Sequence, residues 1–459
     1  MQLHFGSMPA FAVAVSSRTA VIRRTLAALW ERASATVATV LATRGQLSNV
    51  GWMLAERVWM LLSGVVIGFW VIRALGPDDF GKFSAALSLT AVLGGLATVG
   101  LDTVVVRRLT SSRHDTAKVL VAAAGLRIVG SLCLTLLSWI GARLLFPASP
   151  EVADIALVVA ASALFRVTDV VGLWLQAENQ FGRAARARIM VRVAGDVIRV
   201  ALILNDSGVL WFAYAALAES AVACLLFGVI GWKFWSQPGH VDYTIARSLF
   251  ANGRPVMVSG LVSALYSRVD QFVLFNVAGA EANGHYAAAV RISEAFVVLL
   301  VSISSVAASH FGRMATAPAQ QVDRDLRRYY RSMLISGLAV SALMSMAARP
   351  IVLGVYGANF EATVPVLRVH AWTFALVAAS VGLEPWFYHH GRLTQYVPKT
   401  LITLVFCLPA VLVATHFFGP VGAAAAVVAT YAMSVFATNL LLPGARDAFR
   451  FQVRAFQRH

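Results

Sequence analysis

Long apolar runs leave this chain few folds to choose from. Crossing about 30 Å of hydrocarbon takes a helix of roughly 20 mostly apolar residues, and a backbone in lipid must satisfy its own hydrogen bonds. Twelve stretches meet that requirement: residues 50–72, 83–106, 119–146, 152–177, 189–205, 209–232, 256–278, 285–311, 332–356, 363–388, 400–418 and 420–442. Only 13% of residues are charged and 59% are hydrophobic, whereas charge approaches about a quarter of a soluble domain. The expected class is an all-α polytopic membrane protein.

Positive charge tests the register of those spans, because cytoplasmic loops collect Lys and Arg. One side would hold Arg18, Arg23, Arg24, Arg32 and Arg44; Arg107, Arg108, Arg113 and Lys118; Arg183, Arg186, Arg188 and Arg192; Lys233, Arg247 and Arg254; Arg313, Arg324, Arg327, Arg328 and Arg331; Arg392 and Lys399; and Arg446, Arg450, Arg454 and Arg458, 27 in all. The opposite loops hold only Arg73 and Lys82. Both termini are therefore expected in the cytoplasm. The net charge of +16 belongs to these loops, so no nucleic-acid partner is implied. Cys133, Cys224 and Cys407 lie inside apolar runs without paired spacing, and His389-His390 stands alone. Neither a disulfide framework, a metal site nor a cofactor is expected.

Residues 1–46 read as a cytoplasmic segment able to form an amphipathic helix, with Leu26, Leu29, Trp30, Ala33 and Val37 on one face and arginines beside them, suited to an anionic leaflet. A secretory signal would need a positively charged start, which the leading residues lack; Met8 is an alternative first residue.

The polar stretch "RALGPDDFGKFSAALS" after the first span returns after the seventh as "NVAGAEANGHYAAAVR", 203 positions on. Gly76 pairs with Gly279, Asp78 with Glu281, Gly81 with Gly284, Phe83 with Tyr286, and Ala85-Ala86 with Ala288-Ala289. Two six-helix lobes follow, residues 47–235 and 256–442, joined by a cytoplasmic linker at 236–255 and ending in a basic tail at 443–459. An even number of crossings separates the repeats, so the pseudo-twofold axis runs along the membrane normal, and a cavity is expected between the lobes. A duplication without transport would leave the same trace. Gly64 and Gly68 form a GxxxG step, and Ala85, Ala86, Gly94 and Gly95 line the second span, all suited to tight helix contact. Pro365, Pro385 and Pro409 can bend later spans.

These residues carry a resemblance. "IRALGPDDFGKFSAALSLTAVLGGLATVGLDTVVVRRL", "LYSRVDQFVLFNVAGAEANGHYAAAVRISEAF" and "VYGANFEATVPVLRVHAW", in that order, resemble the polysaccharide-export flippases. This is the Wzx-type (O-antigen and exopolysaccharide) branch of a superfamily that includes multidrug extruders and lipid II flippases. The resemblance covers about residues 47–442. It implies a non-enzymatic transporter that moves an undecaprenyl-diphosphate-linked oligosaccharide across the bacterial inner membrane by alternating access. Membrane lipid, a polysaccharide polymerase and chain-length proteins are the partners it suggests.

Nine positive residues fall inside spans: Arg57, Arg127, Arg143, Arg166, Arg199, Arg268, Arg291, Arg349 and Arg368. Each costs about 2.5–3.5 kcal/mol at the bilayer centre, so each should face partners, water or cargo. Arg143 and Arg349 are near span ends and can snorkel. Arg166 with Asp169, Asp196 with Arg199, and Arg291 with Glu294 are spaced i,i+3 and can neutralise one another. Arg57, Arg127, Arg268 and Arg368 have no such partner; nor have Glu219 and Glu384. Guanidinium groups make bidentate, charge-assisted bonds to phosphate, so Arg57 and Arg268 head the candidate cargo contacts, followed by Arg127, Arg291 and Arg368. Tyr266 and Asp270 are one turn apart. Asp270 reads either as a carboxylate coupling H+ or Na+, or as a salt-bridge partner. Trp52, Trp59, Trp372, Trp386 and Tyr388 could stack on sugar or form an interfacial belt.

Two rival functions share parts of this pattern. A cation-coupled multidrug extruder has the same plan, but its cargo would favour unpaired acids. A membrane glycosyltransferase would use Asp78 and Asp79, but a capped turn explains them as well, and no large external loop is present to bind an acceptor. A lipid II flippase would carry two further helices.

Overall fold

In the computed structural model the chain is helical almost throughout, and the structure describes residues 10–111, 115–235, 242–313, 319–390, 396–441 and 446–456. The helices are α1 (Ala10–Thr98), α2 (Leu101–Ser111), α3 (Thr116–Leu145), α4 (Pro150–Phe165), α5 (Val170–Ala177), α6 (Phe181–Leu204), α7 (Val209–Ile230), α8 (Trp232–Trp235), α9 (Tyr243–Tyr266), α10 (Val269–Arg313), α11 (Ala319–Met346), α12 (Ala348–Tyr356), α13 (Thr363–His370), α14 (Trp372–His389), α15 (Tyr396–Ala432), α16 (Thr438–Leu441) and α17 (Arg446–Arg454).

Twelve crossings emerge once the backbone reversals are located. Helix α1 is interrupted at Gly76 (φ 73°, ψ 172°) and α10 at Gly279 (φ 89°, ψ 179°). The two repeat glycines thus share a left-handed conformation that side chains with a Cβ disfavour. Gly419 (φ 56°) divides α15 in the same manner. Among the described residues six segments are long and apolar enough to cross a membrane, and α11 with α12, bent by 64°, makes a further one. Two of the six, Gly51–Ser111 and Ile402–Leu440, contain such a reversal and supply two crossings each. Helix α6, the α9–α10 junction and the second part of α10 complete the twelve. A 3₁₀ turn over Arg166–Asp169 joins α4 to α5 in the fourth crossing.

Helix α9 begins at Tyr243, where the Asp242 carboxylate accepts from the amides of Thr244 (2.9 Å) and Ile245 (3.2 Å). Residues 243–255, expected as linker, are therefore helical. The helix through residues 10–46 continues into the first crossing without a break; the side chains that would form its amphipathic face lie outside the described residues.

Buried clusters serve both halves, and three of them take residues from each. In the first half, Leu101, Leu120, Val171, Leu175 and Phe227 pack together, and Ala85, Phe146 and Ile155 form a second cluster. In the second half Leu274, Tyr286, Val352, Tyr356 and Phe360 are central, joined by Ile72 and Phe80 from the first. Helix α17 closes one end of the second half: Phe451 packs on Tyr330 and Trp386, and Gln452 donates to the Tyr330 hydroxyl at 3.1 Å.

The halves meet at the repeated turns, and the contact is reciprocal. A Cβ on Gly81 would stand 1.8 Å from the Ala280 carbonyl oxygen, and one on Gly284 would stand 1.8 Å from that of Pro77. Pro77 and Ala280 are themselves 203 positions apart, so the two glycines exchange equivalent partners. Asn283 donates to the Gly81 carbonyl at 2.9 Å, while Ser84 and Ser88 donate to Gln271 Oε1 at 2.8 and 2.6 Å. Ala85 and Ala86 are fully buried, as small residues at a helix contact should be. The GxxxG step behaves otherwise. Neither Gly64 nor Gly68 has a neighbour among the described residues within 4 Å of a Cβ position, so these glycines do not sit at a close helix contact.

Candidate functional site

Among the described residues, polar side chains converge in a cavity within the first half and in a pocket within the second. The first-half cavity has a volume of 860 Å³ and takes walls from all six crossings of that half. Part of its charge comes from α6, where Arg188, Arg192, Asp196 and Arg199 follow at spacings of four, four and three and so share one face. Arg188 forms a bidentate pair with Glu56 (2.5 and 3.0 Å). Arg192 donates to Ser63 Oγ at 2.7 Å and lies 3.4 Å from Asp196 and 3.6 Å from Glu219. Arg199 bonds Asp196 at 3.3 Å and makes a very short contact with Glu219. Gly195 lets the Glu219 carboxylate in, since a Cβ there would be 2.7 Å from it. Across the cavity Arg127, buried, holds Asp102, and Arg166 bonds Asp169 at 3.1 Å.

The second-half pocket is smaller, 190 Å³, and surrounds Asp270. That carboxylate is buried; it accepts from the Tyr286 hydroxyl at 2.5 Å and from the Gln271 amide at 2.9 Å. Tyr266 and Tyr431 pack with ring centroids 6.3 Å apart, and His370 Nδ1 is 3.0 Å from Ser293 Oγ. Arg268 reaches Glu294 at 3.2 Å.

The structure separates the residues expected from sequence. Tyr266 and Asp270 share the small pocket although α9 ends between them. Arg127 lines the large cavity, and Asp102, beyond helical reach in sequence, is its partner. Arg268 is not free: the bend at Ser267–Arg268 brings it to Glu294, so the expected Arg291–Glu294 pair does not form. The Asp196–Arg199 and Arg166–Asp169 pairs do. Arg57, Arg291 and Arg368 are exposed and have no ion-pair partner among the described residues. Arg143 and Arg349 pair with Asp154 (3.6 Å) and Glu361 (3.1 Å). Glu384, without a local partner in sequence, takes a 3.5 Å contact from Ser304.

Of the aromatic candidates, Trp386 is buried and stacked on His390 with centroids 4.3 Å apart, which removes its faces from any ligand. Trp52 sits under Arg186, Trp59 and Trp372 are exposed, and Tyr388 lies outside the described side chains. Lys82 stands 3.0 Å from Asp78, 3.6 Å from Asp79 and 2.8 Å from Glu151. The acidic pair of the first turn is thus bound in an ion cluster.

Sequence reasoning placed Arg188 and Arg192 in a loop and missed Asp102 as a cavity group and Glu56 and Ser63 as partners of those arginines. The one-face spacing along α6 was the available signal. For Tyr286 it was the repeat itself, in which Phe83 is replaced by a residue with a hydroxyl.

Comparison with known proteins places this geometry. The family described as "Polysaccharide biosynthesis protein" matches residues 71–365. No curated protein matches the chain. Among solved structures, an inward-facing conformation of a multidrug resistance MATE family transporter of the MOP superfamily superposes with a TM-score of 0.69 at 17% identity, covering 90% of this chain and 100% of that one. The lipid II flippase MurJ in an inward closed conformation gives 0.68 at 15% identity, covering 89% and 90%. An outward-facing conformation of a multidrug resistance MATE family transporter gives 0.58 at 19%, covering 89% and 96%. These likenesses concern the fold. With well over half its length matched and a helical fold shared with those transporters, the chain is a multi-pass membrane protein belonging to the polysaccharide biosynthesis protein family.

Proposed function

We propose that this protein is a flippase that carries an undecaprenyl-diphosphate-linked oligosaccharide across the bacterial inner membrane, with both termini in the cytoplasm. The observation that carries the reading is the set of exposed, unpaired arginines. Arg57 lies about two turns into the first span, while Arg291 and Arg368 lie about two turns from the opposite ends of the eighth and tenth. At roughly 1.5 Å per residue these positions stand on opposite sides of the bilayer midplane. A guanidinium left unpaired at such depth needs water or an anion, and a diphosphate offers oxygens in the geometry guanidinium prefers.

Asp270 is the candidate coupling group for H+ or Na+, because a buried carboxylate with only neutral donors is costly to keep charged. A cation-coupled multidrug extruder is the second reading, favoured by this acid and by the shared fold.

The test is deletion with complementation. Loss of the gene should remove surface polysaccharide and accumulate lipid-linked repeat units inside the cell, with sensitivity to cationic dyes unchanged. Arg57→Ala and Arg291→Ala should each fail to restore export while the protein still reaches the membrane. Intact polysaccharide with raised dye sensitivity would replace the flippase by the extruder.

A further inference from the structure

The charges of the first-half cavity balance, and the balance selects what can enter. Three acids, Asp102, Asp169 and Glu219, and four arginines, Arg127, Arg166, Arg188 and Arg192, line it. Glu56, Asp196 and Arg199 stand behind them in direct ion pairs, which brings the tally to five of each sign. Every arginine of the set has a carboxylate within 4.0 Å. A diphosphate entering here would have to compete with those carboxylates for each arginine and leave them without their partners, a costly exchange. The unpaired Arg57, Arg291 and Arg368 lie outside both cavities and impose no such cost.

A neutral polyhydroxylated ligand meets the opposite situation. Its hydroxyls can donate to carboxylates and accept from guanidinium groups without displacing either from its partner. Thr90, Ser131, Ser162, Gln176 and Ser220 add hydroxyls and an amide to the walls. The volume of 860 Å³ falls within the roughly 300–1,000 Å³ typical of ligand pockets.

We infer that the cavity of the first half binds the uncharged saccharide portion of the cargo, while the unpaired arginines outside it receive the diphosphate. The inference rests on the flippase reading. It assigns the two chemistries of one cargo to two places, one neutral and bonded through hydroxyls, the other cationic.

The experiment uses the purified full-length protein in lipid nanodiscs with Cys133, Cys224 and Cys407 changed to Ala. A reporter thiol is placed in the cavity by Ser162→Cys or one turn from Arg57 by Met53→Cys. Alkylation by an uncharged maleimide is timed with inorganic pyrophosphate, and separately with a panel of neutral hexose and N-acetylhexosamine mono- and disaccharides. The expected result is that at least one saccharide slows labelling of Ser162→Cys several-fold and pyrophosphate does not. Pyrophosphate should slow labelling of Met53→Cys, and Arg57→Ala should abolish that protection. Glu219→Gln removes one negative charge from the cavity, so in that variant pyrophosphate should begin to protect Ser162→Cys. The assignment is overturned if pyrophosphate protects Ser162→Cys without that change, or if it protects Met53→Cys while no saccharide protects the cavity. No protection at either position by either probe would instead overturn the flippase reading on which the assignment rests.

Discussion

Asp270 shows how much a single buried carboxylate asks of its surroundings. Its oxygens accept from the Tyr286 hydroxyl and the Gln271 amide, while the neighbouring Arg268 is committed to Glu294. Two roles are compatible with this geometry, a structural acceptor or a coupling group, and two substitutions separate them. Tyr286→Phe removes one donor and should cost about 1–3 kcal/mol, the price of a buried acceptor left without its bond, seen as earlier loss of folded protein on heating in detergent. Asp270→Asn keeps one oxygen to accept from the Gln271 amide, while its NH2 can donate to the Tyr286 hydroxyl oxygen, so it should cost less than Tyr286→Phe. If Asp270 couples ion movement to transport, Asp270→Asn should nonetheless lose export; normal export in that variant would make the residue structural only. These residues also mark the limit of legibility. Asp196 with Arg199 and Arg166 with Asp169 could be paired from sequence because helical spacing alone brings them together. Glu56 and Arg188, 132 positions apart, could not, since only the packing of the first crossing on α6 decides that Glu56 serves Arg188 and leaves Arg57 free.

At the scale of elements, the repeated turns are the clearest case of sequence written directly into structure. Gly76 and Gly279 take the same left-handed conformation, and Gly81 and Gly284 each receive the carbonyl of the other turn. What the repeat could not reveal was that the turns touch, because a duplication fixes equivalence and says nothing of distance. The reciprocity has an energetic signature. Gly81→Ala would put a methyl 1.8 Å from the Ala280 oxygen, so the turns must separate, and Gly284→Ala would force the same separation from the other side. Once the first substitution has opened the contact, the second meets less resistance. The double variant should therefore be markedly less destabilised than the sum of the singles, whereas changes at independent sites add to within about 0.5 kcal/mol. Unfolding midpoints of the four proteins measure this, and simple additivity would show that the turns do not share one contact. Helix α6 is the counterexample among elements. Its charge density made its first two turns read as loop, although the same charges, set on one face, form the wall of a cavity.

For the whole molecule, the question is which contacts between halves survive a change of access. The second crossing runs beside the seventh over its length. At the turn end they are tied by Ser84 and Ser88 to Gln271; at the other end Gly100 and Gly253 pack backbone to backbone, and Arg108 reaches Ser248 at 3.5 Å. If the halves rock, the turn end must part to open the outer side, whereas the far end can act as the pivot. Thiol pairs test the two ends in the background without Cys133, Cys224 and Cys407. Ser88→Cys with Gln271→Cys, bridged by a short reducible bifunctional reagent, should arrest export and release it on reduction. Arg108→Cys with Ser248→Cys, bridged likewise, should leave export largely intact. Arrest by both bridges would place the pivot elsewhere, and arrest by neither would mean that cargo passes without the halves separating at the turns.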